Sequence, residues 1–149
     1  MTNIEKRMRK YPETDTFHYY NANSKNKITG DCVIRAISRA TDIPYNDVVM
    51  GLAELHCKTG FNMESTECYD RFLKEHGWKK YKQPRQPDNT KYTGKEFCKE
   101  LFDWFNGDVP RKIIAHIGSH HIVAIIDGKV NDIWNSTDGA IGNYWVKER

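Results

Sequence analysis

The chain has no Cys-x-x-Cys pair, no long apolar run and no glycine-rich phosphate loop. Its four cysteines, Cys32, Cys57, Cys68 and Cys98, are unevenly spaced, which argues against a disulfide framework and for reduced thiols in a cytoplasm. Cys57, Cys68, His56 and His76 lack the spacing of a zinc site, so no metal and no cofactor is expected. No stretch approaches the ~18 apolar residues that a membrane span needs. The charges of Glu5, Lys6 and Arg7 are followed by no apolar run, so the N-terminus does not read as a secretory signal. Neither sign of charge dominates: 23 basic against 20 acidic residues leave a net +3, too mild to argue for nucleic acid by itself. Internal repeats and low-complexity segments are absent.

What remains is a chain of 149 residues with 38% apolar residues, enough for one domain spanning 1–149. Residues 1–28 are polar and rich in Asn, Lys and Thr, and read as an extended arm with one short strand near Phe17 to Tyr20. From Cys32, apolar Val33, Ala36, Ile37 and Ala40 recur at steps of three and four, which predicts a helix with one buried face. Thr29 and Asp31 offer N-cap chemistry, so Cys32 falls in its first turn. A second helix follows Pro44 and ends at Gly60, and a third runs from Glu64 to His76. Lys80 to Tyr92, with Pro84 and Pro87, reads as a loop. Thr93 and Glu96 form a capping box that opens a helix through Phe105. Beyond Pro110 the pattern is strand-like: Lys112 to Ile117, His121 to Ile126, Val130 to Trp134 and Asn143 to Val146, with Asp127-Gly128 as a hairpin turn. Helices first and antiparallel strands afterwards give the α+β class, a helical half packed on a C-terminal sheet.

A thiol in the first turn of a helix meets the positive end of the macrodipole and unpaired N–H groups, both of which favour the nucleophilic thiolate. Cys32 is therefore the candidate nucleophile, and the other three cysteines read as ordinary helix residues. Its base has to come from a distant part of the chain. Of the six histidines, His120 and His121 stand at the mouth of a buried-looking strand and point to opposite faces. Counting back from the turn pairs Ile126 with Lys129, Val123 with Asp132 and His121 with Trp134. Asp132 then neighbours His121, placed to accept the Nδ1 proton and leave Nε2 for the thiol. Asn135 is the alternative third member. Lys79, Lys80, Lys82, Arg85 and Lys91 offer a surface for an acidic partner; nucleic acid and membrane are not expected partners.

Gly30-Asp31-Cys32 before an amphipathic helix, then His121 to Ile126, then Asp132-Ile133-Trp134-Asn135, resembles the papain-like cysteine peptidase superfamily. The pattern is most similar to the bacteriocin-processing, double-glycine-leader peptidases and their small bacterial and phage relatives. That resemblance implies a papain-like fold, a nucleophile helix packed on an antiparallel sheet, and a thiol peptidase acting on a protein or peptide in a bacterial or host cytoplasm. It also implies an oxyanion-hole carboxamide six residues before the Cys, a place held here by Asn26, with Asn21 and Asn23 as alternatives. Acyl transfer of the transglutaminase or arylamine acetyltransferase kind uses the same residue order. A non-catalytic module binding protein or nucleic acid is the third expectation.

Overall fold

In the computed structural model, which describes all residues 1–149, twelve elements follow one another: α1 (Asn3–Lys10), β1 (Phe17–Tyr19), α2 (Cys32–Thr41), α3 (Tyr45–Thr59), α4 (Thr66–Glu75), β2 (Trp78–Tyr81), α5 (Gly94–Lys99), α6 (Leu101–Trp104), β3 (Lys112–Ile117), β4 (His121–Ile126), β5 (Lys129–Asp132) and β6 (Ile141–Lys147). The strands form one sheet in the order β1-β5-β4-β3-β6-β2. The chain is α+β, and no helix is long and apolar enough to cross a membrane.

The sheet is buried on both faces, and strand alternation sorts its side chains between two cores. Ile122, Ala124 and Ile126 of β4 join Ile114 and Trp145 under α2, α3 and α4. Val123 and Ile125 join Ile113, Ala115 and Tyr144 under Phe97 and Leu101 of α5 and α6. Helix α2 is anchored by Val33, Ala36, Ile37 and Ala40, the residues its periodicity singled out. Truncating fully buried Ile37 to Ala would cost roughly 2–5 kcal/mol and loosen the helix that carries Cys32.

Four expectations are corrected. The sheet is mixed, because β1 pairs in parallel with the outer edge of β5, Phe17 against Val130 and Tyr19 against Asp132. The arm holds a helix as well as a strand: Thr2 and Glu5 close a capping box over α1. Part of the expected proline-rich loop is strand β2, paired along its length with β6 from Trp78–Lys147 to Tyr81–Tyr144. The helix opened by Thr93 breaks at Glu100 into α5 and α6. The second piece buries Leu101 and lets Trp104 Nε1 donate to the Tyr144 hydroxyl.

Candidate functional site

Cys32 is the first residue of α2. No protein acceptor takes the backbone N–H of Cys32, Val33 or Ile34, so the helix start presents three free donors around the thiol. The cap differs from expectation. Asp31 occupies the N-cap position, but its carboxylate makes no capping bond. It turns instead to Arg35 Nε at 2.7 Å, the Tyr45 hydroxyl at 2.7 Å and Asn23 Nδ2 at 2.8 Å, all of which donate to it. An ionic partner one turn along the helix has outcompeted the backbone.

His121 opens β4 after the turn at Gly118 and Ser119. The expected register holds from Ile126–Lys129 to Ala124–Asn131, where the β4–β5 ladder ends. Past that point Asp132 gives its carbonyl to Tyr20 N–H on the other side. His121, Asp132 and the first turn of α2 meet at this open end of the sheet. The His121 ring lies against the indole of Trp134, with centroids 5.0 Å apart.

His121 Nε2 is 2.6 Å from Asp132 Oδ2. A carboxylate only accepts, so Nε2 carries the proton, which leaves Nδ1 free to face the neighbouring Cys32. The sequence reading had the two nitrogens the other way round. Burial by itself would lower the basicity of this imidazole; hydrogen bonds and charge from Asp132 and Cys32 more than offset it and raise its pKa to about 9. A rise from the ordinary 6.5 to that value corresponds to roughly 3 kcal/mol of preference for the imidazolium.

Asp132 is fixed on every side. Its Oδ1 accepts from Ile133 N–H at 2.7 Å and from Arg35 Nη1, and its side chain is 2% exposed. Arg35, 6% exposed, thereby bridges Asp31 and Asp132. Sequence reasoning passed over Arg35 because an arginine three residues after Cys32 looks like a solvated helix position; its spacing of four from Asp31 was the available signal.

The other sequence candidates stand apart. Asn26 is exposed in a left-handed turn with φ 58°, its carboxamide oxygen accepting from Asn21 at 3.4 Å, and no contact takes it to Cys32. Asn21 donates to Lys27 O, and Asn23 donates to Asp31 and Tyr45. Asn135 accepts from the backbone and hydroxyl of Thr137 and does not reach the imidazole. His120 is exposed at the turn. The basic set is divided: Lys79 lies over Tyr81, which stacks on Tyr144, whereas Lys80 lies over Trp145 on the opposite face.

A cleft of about 520 Å³ adjoins His121, lined by Glu64, Ser65, Thr66, Gln83, His116 and Asn143 among others. Gly142 keeps its wall open, because a Cβ there would stand 3.0 Å from His116 Cβ. Inside it, the Tyr69 hydroxyl is bonded to His116 Nε2 and lies 3.1 Å from Thr66 Oγ1. Burial, aided by Lys80, lowers the His116 pKa, so its Nε2 accepts from Tyr69. No group of three His, Cys, Asp or Glu side chains is placed to hold a metal ion, and all four cysteines are free.

Comparison with family models, curated proteins and solved structures yields no match, so the functional reading rests on the residues themselves.

Proposed function

We propose that the protein is a papain-like cysteine hydrolase that cleaves a peptide, isopeptide or other amide bond in a cytoplasmic protein or peptide. One observation carries the reading. A thiol at a helix start, an imidazole and a buried carboxylate, each from a different element, meet in series: Cys32, His121, Asp132. The reading gives them the roles of nucleophile, base and orienting carboxylate, with Nδ1 as the nitrogen that serves sulfur.

The Cys32 thiolate attacks the carbonyl carbon, and the charge that develops on oxygen is met by the free N–H groups of the α2 first turn. The His121 Nδ1 proton passes to the leaving amine as the C–N bond breaks, giving an amine and a Cys32 thioester. Water then attacks the thioester with His121 as base, releasing the acid and restoring the thiol. Asp132 keeps the imidazole oriented throughout. The polar cleft beside His121 suits an extended polypeptide, and the charge of Lys80, felt by His116 in its wall, favours an acidic substrate side chain.

The test is iodoacetamide labelling read by peptide mass spectrometry, followed by hydrolysis of a fluorogenic amide-peptide library, for wild type, Cys32→Ala and His121→Ala. Cys32 should label faster at pH 6–7 than exposed Cys57, lose that lead in His121→Ala, and be needed for amide cleavage. A hydroxylamine-dependent product with little free acid would point to acyl transfer instead. Labelling of Cys32 no faster than Cys57, and indifferent to His121, would sink the reading.

A further inference from the structure

We propose that Arg35 is a positioning residue: one buried guanidinium, shared between Asp31 and Asp132, holds the Asp132 carboxylate at His121 and ties the first turn of the nucleophile helix to the end of β5. The proposal rests on the cysteine-hydrolase reading for its purpose, but its electrostatic content can be tested without turnover.

The bonding closes on itself. Asp31 Oδ1 takes Arg35 Nε, and its Oδ2 takes Tyr45 and Asn23. Asp132 Oδ1 takes Arg35 and the Ile133 N–H, which leaves Oδ2 for His121 alone. With its two oxygens committed in this way, the carboxylate cannot rotate without breaking an ionic bond. Asp31 and Cys32 are chain neighbours, so the same guanidinium also fixes the thiol relative to its base. A planar fork that donates from Nε and from Nη1 to two different carboxylates does this; a lysine ammonium on a flexible stem does not.

Charge adds a second consequence. Two buried carboxylates against one guanidinium leave one negative charge in the group, and a protonated His121 balances it. Asp31 draws part of the Arg35 charge away from Asp132, so the Asp132 carboxylate keeps more of its hold on the imidazolium. The charged and titratable groups around this centre are Arg7 of α1, Tyr20 beyond β1, Asp31, Cys32, Arg35 and Arg39 of the α2 segment, Tyr45 of α3, Glu64 and Tyr69 before and in α4, His116 of β3, His120 at the turn and Asp132 of β5.

The role gives opposite signs for two substitutions. Arg35→Gln removes a positive charge near the imidazolium, so the His121 pKa should rise. Asp31→Asn removes a negative one and leaves the whole guanidinium to Asp132, so it should fall, each by about half a unit or more. A scaffold role alone would loosen the Asp132 contact in both variants and move both downward. The experiment is an NMR titration of the His121 ring in wild type, Asp31→Asn, Arg35→Gln and Arg35→Lys, with Cys32 labelling rates on the same samples. Opposite shifts support the proposal, and Arg35→Lys should slow Cys32 labelling several-fold without restoring the wild-type titration. Shifts of the same sign, or none in Asp31→Asn, overturn it. If Arg35→Gln does not fold, Arg35→Lys decides: a several-fold loss of Cys32 labelling rate supports the proposal, and a wild-type rate overturns it. Opposite shifts in a protein whose Cys32 is unreactive would uphold the coupling and remove the hydrolase.

Discussion

His116 and His121 stand almost side by side, His116 paired with Ile122 and His121 with Ile117 across the same β3–β4 ladder. Both are half-buried strand histidines, and burial pushes both towards the neutral ring. Their partners decide the rest. His116 meets a neutral phenol and feels Lys80, so it stays a hydrogen-bond acceptor. His121 meets a carboxylate and a thiol, and becomes the stronger base by far. The same residue type at the same depth in the same ladder is thus a neutral acceptor in one case and a strong base in the other.

The largest test of that contrast is deletion. Cys32→Ala should reduce amide cleavage to background, and His121→Ala should cost roughly 10³-fold in kcat/KM, while His116→Gln stays within a few-fold of wild type. Steady-state kinetics on the same substrate reads all three, and a His116 variant as poor as His121→Ala would reverse the assignment. Next is the carboxylate. Asp132→Asn should drop the His121 titration from about 9 towards its ordinary 6.5 and cost roughly 10²-fold in kcat, with little change in KM.

The third is pH. The folded-state pKa of His121 lies above its unfolded value, so its contribution to stability is complete below pH 6.5 and is lost as pH rises through about 9. Urea unfolding at pH 6 and pH 9.5 should show this loss in wild type and much less of it in Asp132→Asn. His116, shifted the other way, stabilises the neutral side: its contribution is present above its unfolded pKa and fades in acid. A smaller effect is expected from Tyr69→Phe, which unpairs His116 and should cost about 1 kcal/mol of stability, with kcat nearly unchanged. The smallest is Asn26→Ala, expected to change kcat by less than about twofold because the proposed mechanism takes its oxyanion donors from the first-turn N–H groups. A fall of 10²-fold there would restore the carboxamide to the site.

Much of this centre was legible in the chain. The three- and four-residue spacing after Cys32, the Asp127-Gly128 turn and the alternation in β4 brought Cys32, His121 and Asp132 together on paper, and they are together in the fold. What failed to read out depended on contacts between distant segments. Which ring nitrogen meets Asp132 depends on how the imidazole is turned, which no spacing encodes. Asp31 looked like a cap because local chemistry favours one; a buried arginine and a tyrosine from the next helix won. Asn26 failed for a local reason: its left-handed turn carries the carboxamide out to solvent. Strand β2 was lost among the prolines that follow it. Helix α1 has a local signal in its Thr2 and Glu5 capping box, but its polar sequence carries no apolar periodicity to mark a helix.

Strand β1 has a bearing on how the molecule can be handled. It covers the outer edge of β5, and the N–H of Tyr20, just beyond it, holds the carbonyl of Asp132. Residues 17–20 thus seal the strand edge beside Cys32, His121 and Asp132. A version trimmed to begin at residue 21 would bare the backbone of β5, a template on which a second molecule could pair. Clipping between α1 and β1, by contrast, leaves that seam closed, so limited proteolysis there should spare both solubility and Cys32 reactivity.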